Sequence, residues 1–371
     1  MYRIWKEEMR KIASGKIVWL GLILLPALLY LRLMSQVSTY RVTIDGEYFE
    51  GKEALMMDQK LTKEYAGPLT EEKVRQIYRD FGFCYWSQEN GAVGNFCNKF
   101  ITEEMTDFNE KGWENQDAIS FYSGEDWENY VAPMLTGDIW FDYVDGWRDL
   151  REIYGIIVII GLLLIFMVAV APVFAEEYTL RTTDLVLTTK EGKKGAVRMK
   201  IAAAFSFTVL VYCVITLFVW GIYLEVYGLQ GLDASARLLG VPSMGYCPGT
   251  VSGFFIYQFF LGLAGVLLLT AITLAVSAVS RSSFAAVVIS LVLFFVPYAW
   301  ITAFRLMMPM QGIQITWTIS HFMMSMPYYL ALNWGFAFAG KQILMHMATA
   351  AVVGTAAGMA GYYKYINYQG R

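Results

Sequence analysis

The chain has 371 residues, 56% of them hydrophobic and only 16% charged, with a formal net charge of −3. A soluble protein of this length would carry about a quarter charged residues, so the composition excludes an ordinary soluble globular fold. Only two histidines occur, His321 and His346, which leaves little for metal binding or acid–base work.

Residues 1–16 read as an amphipathic helix in the membrane interface. Tyr2, Trp5, Met9 and Ile12 recur at helical spacing, while Arg3, Lys6, Glu7, Glu8, Arg10 and Lys11 fill the other positions. The apolar run over 17–34 is the first expected span. A cleaved leader also starts with basic residues and an apolar stretch, but Met34-Ser35-Gln36-Val37 offers no small-x-small cleavage site, so a retained anchor is expected.

Residues 35–152 form a long polar segment with 24 Asp plus Glu against 11 Lys plus Arg. At about 118 residues it is large enough to fold on its own. Gly67-Pro68-Leu69-Thr70-Glu71-Glu72 marks a helix start, with Thr70 as cap and Val74, Ile77 and Tyr78 as one face. Cys84 and Cys97 flank Asn90-Gly91, a strong hairpin signal. A turn centred there sets the two cysteines opposite each other at a non-hydrogen-bonded pair, where side chains approach closest and a disulfide fits. The alternative is two unrelated thiols in a loop, because Gly94 and Asn95 are poor strand formers. Cys213 falls in a span and Cys247 in a loop.

Five more apolar runs follow at 153–175, 201–224, 254–279, 284–304 and 342–363. Each is near or above the ~20 residues that cross a bilayer, and backbone in lipid must satisfy its own hydrogen bonds, so these runs are expected to be helices. Residues 305–341 are apolar but interrupted by Pro309, Gly312 and Pro327. They read as re-entrant or interfacial helices, with Trp317, Tyr328, Tyr329 and Trp334 in the headgroup belt; a further pair of short spans would keep the same topology. In the last run, Gly354, Gly358 and Gly361 provide small-xxx-small spacing for close helix packing, including packing in a dimer. His321 and His346 are expected to pack or hydrogen-bond, although an ionisable group within a span is a functional candidate by default.

Lysine and arginine set the orientation. The amino-terminal segment has Arg3, Lys6, Arg10, Lys11 and Lys16, and the segment 176–200 has Arg181, Lys190, Lys193, Lys194, Arg198 and Lys200. Arg237, Arg305 and Lys341 are sparse on the opposite side. Both termini, including the tail 364–371, are therefore expected in the cytoplasm, with residues 35–152 outside the cell. The expected fold is an all-α polytopic protein of six transmembrane helices in the plasma membrane, carrying an α+β extracellular domain between the first two helices.

No G-x-x-x-x-G-K-[ST] motif occurs, and Gly192-Lys193-Lys194-Gly195 lacks its spacing and hydroxyl. The segment 176–200 is the most informative. It mixes acids and bases with Leu180, Leu185, Val186 and Leu187, more apolar content than a solvated hairpin needs. A short helix docking on another protein accounts for it; a helix resting on lipid headgroups is the alternative.

Glu176-Glu177-Tyr178, Asp184-Leu185-Val186-Leu187-Thr188-Thr189, Gly192-Lys193 and Lys200 resemble the first cytoplasmic loop of ATP-binding-cassette (ABC) type-2 permeases. Tyr143-Val144-Asp145-Gly146-Trp147-Arg148-Asp149-Leu150 is similar to members from Gram-positive bacteria. The chain departs in having Lys190-Glu191 where a proline is frequent, and in its larger outer domain. The resemblance implies a permease that is not itself an enzyme and has no cofactor of its own. ATP and Mg belong to a separate cytoplasmic ABC ATPase, and a second permease copy or a related chain completes the assembly; nucleic acid has no part. It also implies that Glu176, Glu177, Arg181, Asp184, Leu185, Lys193 and Lys200 couple to the ATPase, with Lys200 at headgroup level, and that peptide, drug or lipid-like substrates are exported. A membrane sensor with a ligand-binding outer domain is the alternative. A lipid-modifying enzyme is disfavoured because the spans lack clustered His, Asp and Glu.

Overall fold

Local sequence signals account for most of the elements. The computed structural model describes residues 1–188, 195–240, 249–306, 314–332 and 341–368. The amphipathic start forms α1 (Tyr2–Ala13), and the first apolar run forms α2 (Lys16–Ser38). Asp45 and Gly46 both take positive φ, 52° and 81°, giving the mirror-image turn that matches strand twist. They join β1 (Arg41–Ile44) to β2 (Glu47–Glu50) as an antiparallel pair. After α3 (Gly51–Glu64) and β3 (Gly67–Thr70), Thr70 caps α4 (Glu71–Phe81) by accepting the Lys73 N–H at 3.3 Å. Val74 and Ile77 are buried as the pattern predicts, whereas Tyr78 is largely exposed.

The cysteine expectation is corrected. β4 (Tyr85–Ser87) and β5 (Gly91–Val93) pair Tyr85 with Val93 and Ser87 with Gly91, so the turn spans residues 88–90 instead of centring on Asn90-Gly91. Continuing that register sets Cys84 opposite Gly94. Asn95 then ends the extended segment by forming a capping box with Asn98, and this places Cys97 in the first turn of α5 (Phe96–Met105). Cys84 and Cys97 are both buried, free thiols, and burial pushes the Cys84 thiol up to about 11.

Beyond α6 (Phe108–Lys111), β6 (Thr136–Phe141) pairs antiparallel with β3. α7 (Asp145–Ile153) runs through a π-helical turn, Tyr154–Val158, into α8 (Ile159–Val170). The rest is helical: α9 (Pro172–Thr179), α10 (Thr183–Thr188), α11 (Val197–Tyr227), α12 (Val251–Val279), α13 (Ser283–Leu306), α14 (Gln314–Met324), α15 (Pro327–Leu332) and α16 (Lys341–Ile366). Six helical stretches among the described residues are long and apolar enough to cross a membrane: Lys16–Ser38, Ile159–Thr179, Val197–Tyr227, Val251–Val279, Ser283–Ala303 and Ile343–Ile366. The chain is thus a mostly helical polytopic membrane protein with a small β-containing region.

Two compact units emerge. One comprises residues 28–150 and 222–254, the other residues 1–27, 151–221 and 255–371. The first therefore takes in the segment after α11 as well as the long acidic segment. Ser235 N–H donates to the Trp140 carbonyl at 3.0 Å, Trp147 Nε1 to Gln230 O at 2.7 Å, and Arg148 Nε to Leu238 O at 2.6 Å. Gly231, at φ 79°, lies so close to the Tyr143 carbonyl that a Cβ there would collide with it. Arg32 forms a two-pronged bond to buried Asp149, at 3.0 and 2.8 Å.

In the same unit Asp58 is almost fully buried. It accepts the Tyr40 hydroxyl at 2.6 Å and the Phe96 N–H at 2.9 and 3.0 Å. Burial raises its carboxyl from 3.8 to about 6, against the lowering effect of those hydrogen bonds. The folded state therefore holds this proton more tightly than the unfolded chain. The unit should gain stability as pH falls from about 6 to about 4, by roughly 3 kcal/mol, and be insensitive to this group above 6. Hydrogen exchange of peptides 51–64 and 96–105 in the full chain, corrected for intrinsic rates, should show that slope, and Asp58→Asn should flatten it.

The second unit is an all-helical bundle. Its expected re-entrant segment contains α14 and α15, while residues 307–313 and 333–340, and with them Trp334, lie outside the described residues. Tyr328 and Tyr329 are turned into the protein instead of lying in an outer belt: the Tyr328 ring packs on Phe294 and Tyr298, each at 5.4 Å. His346 is buried, its Nδ1 2.7 Å from the Ser325 hydroxyl, with the His321 ring 6.0 Å away. The glycines of α16 divide. A Cβ at Gly361 would sit 2.8 Å from Ala275 Cα and one at Gly354 would touch Leu268, so both pack on α12 of the same chain. A Cβ at Gly358 would meet nothing within 4 Å, which leaves that position open for packing with another helix.

Candidate functional site

Five of the predicted coupling residues, Glu176, Glu177, Arg181, Asp184 and Leu185, lie where α9 ends and α10 begins. Pro172 starts α9 directly after α8 and cannot donate to the ladder. The next donors are satisfied from α12: Ser277 Oγ accepts the N–H of Phe174 at 3.0 Å and of Ala175 at 3.1 Å, and donates to the Ala171 carbonyl at 2.6 Å. At the other end of α9, Arg181 N–H donates to Tyr178 O and Thr182 N–H to Glu177 O, at 3.2 and 3.0 Å. This is the Schellman arrangement, with Arg181 in the left-handed position usually held by glycine (φ 55°). A non-glycine residue there is strained by roughly 1–2 kcal/mol. The turn is further tied down by the Tyr178 hydroxyl, which donates to Ala278 O at 3.0 Å.

Two of the predicted residues point inward. Lys200, in the first turn of α11, is 3% exposed. A cation at a helix amino terminus opposes the helix dipole, and it is held there by two carboxylates: Glu177 Oε1 at 2.8 Å and Glu8 Oε2 at 3.0 Å. Glu8 also pairs with Lys11 at 2.9 Å, and the Tyr365 hydroxyl of α16 donates to Glu177 Oε2. Burial acts to lower the Lys11 ammonium pKa, but the Glu8 hydrogen bond and charge outweigh it, and the net shift is upward. One ionic cluster thus joins α1, α9, α11 and α16.

Glu8 was not among the predicted site residues. The apolar periodicity of α1 places it on the polar face, yet the face that packs runs through Trp5, Glu8 and Ile12, with Trp5 Nε1 donating to Ser206 Oγ at 3.3 Å. Tyr2, assigned to the apolar face, is exposed. The i, i+3 spacing of Glu8 and Lys11 is the only local signal, and it says nothing about Lys200.

The remaining predicted residues divide differently. Glu176, Arg181 and Leu185 are exposed, together with Leu180. Leu180 and Leu185 are 63% and 71% exposed, apolar positions on a turn of charged and polar residues. Asp184 lies in α10, and Lys193 lies outside the described residues. Beside this face an open cleft of about 920 Å³ is lined by residues that include Glu8, Lys16, Glu176, Leu180, Leu185 and Lys200. The site therefore has an inner ionic strut and an outer face of leucines and charges. Among the described residues no group of three or more His, Cys, Asp and Glu could hold a metal ion.

Removing one partner of a buried ion pair costs more than the pair is worth, because the remaining charge stays buried. Lys200→Met should therefore lower the thermal stability of the full chain by roughly 3–5 kcal/mol. Adding Glu8→Leu and Glu177→Leu should restore most of it, as read from melting in detergent; additive losses would show that the three groups do not act together.

The ABC-2 family transporter protein model matches residues 2–369, nearly the whole chain. No curated protein and no solved structure gives a significant match. With six apolar helices and a match of that extent, the chain belongs to the ABC-2 transporter family and is a multi-pass membrane permease subunit of an ABC transporter.

Proposed function

We propose that this permease is an exporter powered by a separate ABC ATPase, which docks on the outer face of the α9–α10 turn. The observation that carries this reading is the exposed pair Leu180 and Leu185, alongside exposed Glu176 and Arg181 at the end of a span. Exposed apolar side chains rimmed by charge form the usual anatomy of a protein interface. The turn behind them is tied down: the N–H groups of Leu180, Arg181 and Thr182 are bonded, and Glu177 is locked to Lys200 and Tyr365. A push on the face is then transmitted to α1, α11 and α16 together. In this reading Glu177 and Lys200 transmit force, while Glu176, Leu180, Arg181 and Leu185 make contact.

The distribution of lysine and arginine supports a cytoplasmic position for this turn and both termini and an outside position for the acidic segment. The partner permease is a second copy or a related chain, and the substrate is peptide, drug or lipid-like. Leu185→Asp combined with Arg181→Glu should reduce the ATPase recovered with a tagged permease at least tenfold while leaving the permease folded. Undiminished recovery would remove the docking assignment. A cysteine introduced at Leu185 in a cysteine-free background should resist impermeant reagents applied to intact cells; labelling from outside would reverse the topology.

A further inference from the structure

The cleft beside the α9–α10 turn, about 920 Å³ in volume, has two kinds of wall. Small-molecule sites run to roughly 300–1,000 Å³, so it is large enough for a lipid headgroup and the start of its chains. Ile17 and Val18 from α2, and Val168, Ala169 and Val173 from α8 and α9, form an apolar wall. All five belong to the two stretches Lys16–Ser38 and Ile159–Thr179, which are long and apolar enough to cross a membrane. Glu8, Lys11, Lys16, Glu176, Glu177 and Lys200 form a charged wall. An apolar side built from spans and a charged side at their ends is the division of a phospholipid.

Most charges of that wall are already engaged. Glu8 Oε1 takes Lys11 and Oε2 takes Lys200, while Glu177 Oε1 takes Lys200 and Oε2 accepts the Tyr365 hydroxyl. Lys16 and Glu176 are both exposed, and neither has a hydrogen bond or ion pair among the described residues. Glu176 acts on Lys11 through its charge alone. Among the described residues the cleft therefore offers one cation and one anion for a ligand. A net-negative headgroup would meet Lys16 but be opposed by Glu176. A headgroup with a phosphate and an ammonium matches both, and a primary ammonium also has N–H groups to donate to the carboxylate. A quaternary ammonium has none.

We propose that the cleft binds a phospholipid with a primary-amine headgroup, its phosphate on Lys16, its ammonium on Glu176 and its chains along the apolar wall. Leu180 and Leu185 also border the cleft, so the lipid sits against the back of the turn. The assignment goes beyond the docking reading and does not rest on it.

The test uses the full chain purified alone in detergent, without an ATPase. It is offered an equimolar mixture of phosphatidylethanolamine, phosphatidylcholine and phosphatidylglycerol with identical chains, and bound lipid is counted by native mass spectrometry. Phosphatidylethanolamine should be retained about fivefold over each of the others, the scale of one charged contact at a partly exposed site. Glu176→Gln should erase its advantage over phosphatidylcholine. Lys16→Gln should weaken all three lipids together and leave that advantage in place. Both side chains are exposed, so neither change threatens the fold. Glycerophosphoethanolamine, the same headgroup without chains, should fail to displace the lipid even in large excess. Equal retention of the three lipids, strongest retention of phosphatidylglycerol, an advantage that survives Glu176→Gln, retention unchanged by Lys16→Gln, or displacement by the chainless headgroup would each overturn the proposal.

Discussion

Lys200 between Glu8 and Glu177 is the constraint on which the helical unit depends. A lysine ammonium removed from water is tolerable only if charge and hydrogen bonds replace its hydration. Here two carboxylates do so, and each has a further partner, Lys11 for Glu8 and Tyr365 for Glu177. The cluster ties the amphipathic helix α1 to the bundle through a specific contact in addition to its apolar side chains. It also fixes α9 close to its exposed outer turn. An ionic knot has one good geometry, so the helices it joins move as a set.

A second structural theme is how broken helices are repaired. Pro172 interrupts the passage from α8 to α9, and Ser277 of α12 supplies two acceptor contacts and one donor at the break. The Schellman turn after α9 is closed with arginine where glycine would be free of strain, so a charged side chain is presented on the exposed face of the turn at some conformational cost.

The β-containing unit shows the opposite balance, with local turn chemistry setting most elements and distant contacts closing them. Asp45-Gly46, Thr70 and the Asn95–Asn98 box each act within a few residues of where they stand. The segment Tyr143–Leu150, conspicuous in the sequence as similar to related permeases, is where distant parts of the unit meet. Trp147 and Arg148 reach carbonyls after α11, and Asp149 holds Arg32 of α2. Asp58 completes the interior by capping α5 from α3 at the cost of a raised carboxyl pKa.

Spans and the Thr70 cap were legible in the sequence because apolar runs and capping patterns act over a few residues and need no partner far along the chain. The cysteine pairing went wrong because a two-residue turn signal competes with a capping box five residues later, and the box decided where the strand stopped. The role of Glu8 was hidden because periodicity assigns a charged residue to water unless its partner is known, and Lys200 lies 192 positions away. The glycines of α16 carried a packing signal, but spacing alone cannot name the neighbour, and α12 took two of them. The sequence by itself determined that the chain crosses a membrane in helices, since continuous runs of about 20 apolar residues in lipid bond their backbone within the segment. Only the tertiary structure decided which charges are buried together, because burial of an ion is settled by what surrounds it in space.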